Sequence, residues 1–209
     1  MLCRLAPIAF LFATPLAAQV PPSVPLVAPA LASRDVVRVA LDTSAGRIVL
    51  ELDKGRAPVT TANFLRYLDA KRLDGIFFYR AMKLWEGTGL VQAGVRDGAK
   101  LYPPIAHEPT AKTGIKHEDG TISMARAAAG SARGDFFITI GRIEGFDAGS
   151  GQDGDDLGYA AFGRVVEGMD VVKRLLLAPV SPTAGAKDGM QGQMLVTPVK
   201  ILKAARVPQ

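Results

Sequence analysis

The sequence predicts an all-β barrel with helical caps. Three observations carry this. Short β-rich runs recur along the chain with glycines between them, only two segments show helical spacing, and no internal repeat is present. At 209 residues the chain is long enough for one domain with a sizeable core.

The elements follow in order. Val36 to Leu41 reads as a strand, Asp42 to Gly46 supplies turn residues, and Arg47 to Leu52 reads as a second strand with Ile48, Leu50 and Leu52 on one face. The pair predicts an antiparallel hairpin. Pro58 sits where a helix can begin, because a first-turn proline loses no intrahelical bond. Phe64, Leu65, Tyr67 and Leu68 keep helical spacing through Lys71 and are expected to pack on the core. Ile76 to Met82, Thr121 to Arg126, Phe136 to Ile140 and Tyr159 to Val166 are further strand candidates. Met169 to Leu177 has helical spacing, Ser181 to Gln193 is a glycine-rich loop, and Thr197 to Val207 reads as a closing strand.

The first 34 residues read differently. Arg4 precedes an almost wholly apolar run, Leu5 to Leu16, and Leu16-Ala17-Ala18 offers residues that a signal peptidase reads. Residues 1–18 are therefore expected to be a secretory signal, too short for a membrane anchor; a disordered apolar terminus is the alternative. Residues 19–34, with four prolines, are expected to form an extended linker, and residues 35–209 the domain. Cys3 is the only cysteine and lies inside the signal, so the processed chain would have no thiol. That excludes a disulfide framework, a cysteine nucleophile and a cysteine-based zinc site. The expected location is the periplasm of a Gram-negative cell.

The net charge of +5 comes from Lys and Arg scattered among Asp and Glu, without the basic stripe of a nucleic-acid binder. No nucleic acid, cofactor or metal is expected as a partner, nor membrane insertion after processing, and the expected state is a monomer. Gly149 to Gly154 formally matches G-x-G-x-x-G, but Asp147, Asp153, Asp155 and Asp156 surround it and would repel a phosphate. Those carboxylates are expected to form a solvated loop, with weak Ca²⁺ binding the alternative. His107 and His117 are each followed by glutamate and are expected to be solvated. No Ser–His–acid set is expected, because Gly149-Ser150-Gly151 lacks the nucleophile-elbow pattern.

Five segments, in order, carry a family resemblance. Ala57-Pro58-Val59-Thr60-Thr61-Ala62-Asn63-Phe64 resembles the first-helix segment of cyclophilins, and Phe78-Tyr79-Arg80 resembles their Phe-His-Arg motif. Gly120 to Arg126 resembles their Gly-x-(Leu/Ile)-Ser-Met-Ala segment, and Phe136-Phe137-Ile138 their Gln-Phe-Phe-Ile strand. Gly158 to Asp170 is similar to the run before the second helix in bacterial periplasmic cyclophilins. The resemblance covers about Val36 to Val207. It implies a closed eight-stranded antiparallel barrel capped by two α-helices, with a prolyl-peptide groove on its outer face.

It also implies peptidyl-prolyl cis–trans isomerase activity on proline-containing segments of exported or unfolded proteins. Arg80 matches the family's catalytic arginine. Gln92 matches a glutamine that bonds the substrate backbone, Phe137 a proline-pocket aromatic and Phe146 an apolar pocket wall. Ala125, Arg126 and Ala127 match the groove strand, where Arg126 replaces an asparagine that contacts mainly through its main chain.

Other positions depart from the pattern. Tyr79 stands at the histidine position and Asp135 at a glutamine. The Phe-Met pair before the glutamine is missing, and Met82 to Gly89, with Trp85, makes a longer connection. Gly145 occupies the tryptophan position, and no histidine stands near Ser150. Asp135 is expected beside Arg80, holding the guanidinium or competing for it. These departures imply an atypical, slowed active site; the alternative is a peptide-binding module or chaperone with little catalysis.

Overall fold

A computed structural model describes residues 35–151 and 155–208. The expected signal at 1–18 and linker at 19–34 lie outside the described residues, as do 152–154 of the acidic loop.

Strands β1 (Val36–Thr43) and β2 (Gly46–Asp53) form the expected hairpin, with Val36 opposite Asp53 and Thr43 opposite Gly46. The Thr43 hydroxyl locks the turn, donating to the Gly46 carbonyl and accepting from the Ala45 amide. Helix α1 (Pro58–Asp69) starts with Pro58 in its first turn. Its orphan first-turn donors are met from far along the chain: the Thr60 amide and hydroxyl both donate to Glu108 Oε2 at 2.8 Å. The helix stops two residues short of Lys71, which takes a left-handed φ of 57°.

Then come β3 (Phe77–Lys83), β4 (Gly89–Gly94), a single helical turn α2 (Thr110–Thr113), β5 (Thr121–Met124), β6 (Asp135–Ile140) and β7 (Ala160–Glu167). Helix α3 (Met169–Leu177) has the expected bounds, and β8 (Val180–Ser181) and β9 (Met194–Arg206) end the chain. Strand β4 was not among the expected strands. It is buried along its whole length, so it lacks the alternation that marks a strand. Strand β9 begins three residues before the expected Thr197. The register against β3 jumps from Val199 opposite Phe78 to Met194 opposite Arg80, so Pro198 falls in a bulge where no ladder bond is needed.

All pairings are antiparallel, in the order β1-β2-β7-β5-β6-β4-β3-β9, and β9 pairs back onto β1. This closes an eight-stranded barrel, with the two-residue β8 appended to β9. Leu41, Ile48, Leu50, Phe78, Ile122, Phe136, Ile138 and Phe162 fill the interior. Phe64 of α1 closes one end, meeting Phe136 edge-on at 5.3 Å and Phe162 at 5.6 Å. Val171, Val172, Leu175 and Leu176 of α3 join the same core.

Candidate active site

The barrel's register assembles the site. Arg80 on β3 lies opposite Gln92 on β4, Gln92 opposite Phe137 on β6, and Phe137 opposite Ser123 on β5. Side chains that are neighbours across strands share a face, so one row crosses four strands outside the core. In β3 the register shifts between Phe78 and Arg80, leaving Tyr79 as an extra residue. Phe78 points into the core, while Tyr79 and Arg80 both turn toward the groove side.

Arg80 is half-buried and held on three sides. Its Nε donates to Gln193 Oε1 at 2.7 Å, and its terminal nitrogens donate to Gln92 Oε1 at 2.8 Å and to the Met82 sulfur at 3.2 Å. Burial lowers its pKa from the ordinary guanidinium value, opposed by the Tyr79 and Tyr159 phenols, and an arginine stays charged through such a shift.

A one-way chain of donors continues from it. Arg80 donates to Gln92, Gln92 Nε2 donates to the Tyr79 hydroxyl at 2.6 Å, and that hydroxyl donates to Asp135 Oδ2 at 2.8 Å. Both ends of the Gln92 amide are thereby assigned. Asp135 is thus not the direct neighbour of Arg80 that was expected: two side chains intervene. Its carboxylate folds over Gly94, where any Cβ would overlap it. Burial pushes the Asp135 pKa up, and the Tyr79 hydrogen bond and the charge of Arg96 oppose this. Burial, then the Asp135 charge, pushes the Tyr79 phenol well above its ordinary range. Arg96 lies over the Tyr79 ring at 4.9 Å and meets Asp188 at 3.8 Å.

Beside the guanidinium lies an aromatic wall. Phe137 packs edge-on against Phe146 at 5.6 Å and Tyr159 at 5.3 Å, and those two meet at 5.0 Å. With Leu90, Ile143, Ala125, Arg126 and Ala127 they line an open cavity of about 930 Å³ that also holds Arg80, Gln92 and Asp135. Tyr79 reaches this set through its hydroxyl, while its ring borders a second cleft beside Arg96.

At the groove edge the Ala125 amide donates to the Asp135 carbonyl and the Ala127 amide to the Ser131 hydroxyl. The Arg126 side chain lies over the Tyr159 ring of the wall at 5.3 Å, held there by a two-pronged pair with Asp155, 2.8 Å on each prong, and by the Gly158 carbonyl. That pair holds the exposed Asp155 carboxyl down to about 2. Asp156 accepts the Gly151 amide, and Asp147 is buried. Of the acidic residues described, Asp155 and Asp156 are exposed, as expected of a solvated loop, while Asp147 is corrected: it is buried and bonded to His117.

His117 and the Ser–His–acid set are also corrected. His117 is completely buried. Its Nδ1 lies 2.8 Å from Asp147 Oδ1 and its Nε2 lies 3.0 Å from Ser123 Oγ, with the ring stacked 6.0 Å from Phe137. Burial alone would raise Asp147, but the side-chain and backbone hydrogen bonds from His117, with Lys116 near, hold its carboxyl below the ordinary value. Glu108 and Glu118, the glutamates after the two histidines, serve elsewhere: Glu108 caps α1, and the Glu118 carbonyl accepts from Thr139.

Sequence reasoning missed Gln193, Tyr159, Arg96 and the His117 trio. The first comes from a loop with no periodic signal. Tyr159 stands inside the matched Gly158–Asp170 run, which was the one clue to it.

Comparison with known proteins agrees with this geometry. The family model of cyclophilin type peptidyl-prolyl cis-trans isomerases matches residues 37–205. Peptidyl-prolyl cis-trans isomerase A of Dickeya dadantii is 33% identical over 178 residues, covering 84% of this chain and 90% of the relative. A peptidyl-prolyl cis-trans isomerase of Streptomyces antibioticus is 35% identical over 167 residues, covering 78% and 98%. A solved cyclophilin type isomerase of Cryptosporidium parvum, crystallised in the presence of the dipeptide Ala-Pro, shares the fold. Its TM-score is 0.64 at 18% identity, over 82% of this chain and 99% of that one. By sequence, barrel topology and profile match together, the chain belongs to the cyclophilin-type peptidyl-prolyl cis-trans isomerases.

Proposed function

We propose that Arg80 catalyses rotation about X–Pro bonds in exported or unfolded proteins, with the Phe137–Phe146–Tyr159 wall gripping the proline ring. The observation that carries this is a half-buried guanidinium, fixed by two glutamines, lining the same cavity as an aromatic wall.

The barrier to rotation is about 18–20 kcal/mol, because the amide has partial double-bond character. As the amide twists, its nitrogen becomes pyramidal and accepts a hydrogen bond. A fixed N–H donor then stabilises the twisted state more than the planar one. Arg80 carries five N–H groups. Three are engaged, one of them only by sulfur, a weak acceptor, so donors remain for the substrate. Gln92, Tyr79 and Asp135 orient this donor. The main chain of Arg126, between two amides already bonded within the protein, offers the peptide a backbone partner.

The second reading, a peptide-binding module with little catalysis, draws on one observation: most of the guanidinium's donors are already used. An exchange NMR or protease-coupled assay on an X–Pro peptide separates the two readings. Losing a preorganised charged donor costs about 2.7–4 kcal/mol, or 10²–10³ in rate. Arg80→Ala is expected to lower kcat/KM by about that factor with unchanged circular dichroism. Arg80→Lys should not restore the rate fully, because an ammonium lacks the planar fork. An unaffected Arg80→Ala protein would exclude Arg80 from the mechanism. Wild-type protein that binds the peptide without accelerating exchange would establish the second reading.

The proposed setting is the periplasm, with residues 1–18 removed as a signal and 19–34 as linker, on the strength of Arg4, the apolar run and Leu16-Ala17-Ala18. N-terminal sequencing of protein from its native host tests this; a chain retaining Met1 in the cytoplasm would overturn it.

A further inference from the structure

The turn between β3 and β4 carries an apolar surface that the catalytic row does not use. Trp85 is 58% exposed and Leu84 is 39% exposed, and both line the cavity that holds Arg80 and Phe137. Scattered exposed aliphatic residues need no explanation, but an exposed tryptophan beside a second apolar residue at the mouth of a site does.

The turn is ordered. Thr88 N donates to the Trp85 carbonyl at 2.9 Å, Leu84 N donates to the Thr88 carbonyl at 3.0 Å, and Gly87 takes the left-handed conformation this tight turn needs. It is also braced by the end of the adjacent strand β6. A Cβ on Gly141 would meet Thr88 Oγ1 at 2.8 Å, so the turn rests directly on the segment leading to Gly145. Gly145 lines the same cavity and brings no side chain to cover the indole. A tryptophan on a fixed turn presents a large rigid face, with an N–H donor at its edge, at little entropic cost.

We propose that Trp85 and Leu84 form a substrate subsite for a large apolar or aromatic side chain next to the proline. This rests on the isomerase reading, since it names the preference of that same cavity. The bound side chain packs on the indole while Arg80 acts on the prolyl nitrogen. Selectivity then comes from a turn separate from the aromatic wall.

The chain's single tryptophan makes the test specific, because fluorescence excited at the red edge of the band reports Trp85 alone. The probes are blocked tetrapeptides Ala-Xaa-Pro-Yaa, with Xaa and Yaa each glycine or phenylalanine. Phenylalanine at one flanking position is expected to shift the emission on titration and raise kcat/KM about tenfold over glycine, which equals about 1.4 kcal/mol. Trp85→Ala should lose most of that ratio and Trp85→Phe keep part of it. Emission unmoved by a saturating phenylalanine peptide overturns the subsite, as does a phenylalanine-to-glycine ratio equal in wild type and Trp85→Ala. Turnover of every peptide without an emission shift sinks the subsite and leaves the isomerase reading standing. A selective shift without turnover keeps the subsite and removes the isomerase reading. The wild-type titration decides the matter even if a variant fails to fold.

Discussion

Replacing Tyr79 by phenylalanine removes one oxygen that serves two partners, the buried Gln92 and the partly buried Asp135. Gln92 Nε2 donates to that oxygen at 2.6 Å, and it donates to Asp135 Oδ2 at 2.8 Å. A buried polar group left unpaired costs about 1–3 kcal/mol. Two groups lose a partner, while the desolvation of the hydroxyl itself is recovered, so the net loss is about 1–3 kcal/mol. The loss should grow with pH. The Tyr79 hydrogen bond is the main influence opposing the upward push of burial on Asp135, so without it the folded-state pKa rises further. A carboxyl raised in the folded state contributes stability below its unfolded pKa and loses it as pH climbs through the folded value. The variant should therefore fall further behind wild type as pH rises through the raised folded-state value of Asp135, which lies above the ordinary 3.8. Activity should fall as well. The Gln92 amide loses one of the two partners that fix its orientation, so it holds Arg80 less firmly. We expect kcat/KM to drop about tenfold, a loss equal to about 1.4 kcal/mol of transition-state stabilisation. Urea unfolding at mildly acidic and mildly alkaline pH, with exchange NMR on an X–Pro peptide, measures both effects. Matching midpoints at both pH values together with unchanged kcat/KM would refute the donor chain.

Gln193→Ala frees the Arg80 Nε and should lower kcat/KM roughly tenfold with KM little changed, the mark of a contact that orients a transition-state donor; an unchanged kcat would make the loop contact incidental. Asp135→Asn keeps an oxygen for Tyr79 and removes a buried charge. Wild type should lose stability relative to this variant as pH rises from 3.8 through the raised Asp135 pKa; parallel pH profiles in urea would show that the charge carries no penalty. Ser123→Ala should cost about 1–3 kcal/mol in denaturant unfolding by leaving His117 without its partner, while wild type should resist serine-directed phosphonates; stoichiometric labelling of Ser123 would contradict the sealed arrangement described above.

The parts of this molecule legible in the sequence are those governed by local periodicity. The β1–β2 hairpin alternates, and α3 repeats Val171, Val172, Leu175 and Leu176 on one face, so both were read with nearly correct bounds. Strand β4 was not read, because burial on both faces erases alternation. Within the site, Arg80 and Gln92 were readable because they stand in segments similar to the family's. The Arg80 contact to Gln193 was not, because it joins residues 113 positions apart through a loop. The position of Asp135 was misjudged for a related reason. Sequence placed it near Arg80, but in the ladder Asp135 stands opposite Gly94, two positions from the Gln92 that faces Arg80, and the bulged Tyr79 sets its phenol between them; neither register nor bulge leaves a local signature in a β-rich run.

Two constellations share Phe137, and their contrast shows why geometry alone does not assign chemistry. On one side, Ser123, His117 and Asp147 have the spacing of a hydrolytic triad. A triad also needs a place where a carbonyl can lie about 3 Å from the nucleophile and from oxyanion donors. Ser123 and His117 are 0% exposed, so no such place exists. The trio instead holds the floor of the groove, with the His117 ring stacked under Phe137 and His117 bonded to Asp147 next to Phe146. On the other side the requirements are smaller. Isomerisation makes and breaks no bond to the protein, so one fixed donor beside an apolar grip is enough. On the proposed reading, that division explains how the site can carry Tyr79, Asp135 and Trp85 where the family resemblance implies other residues. The floor is fixed by a sealed polar trio and the barrel core, so on the proposed reading the exposed Leu84 and Trp85 can change the rate and the peptide preference without disturbing the fold that holds Arg80.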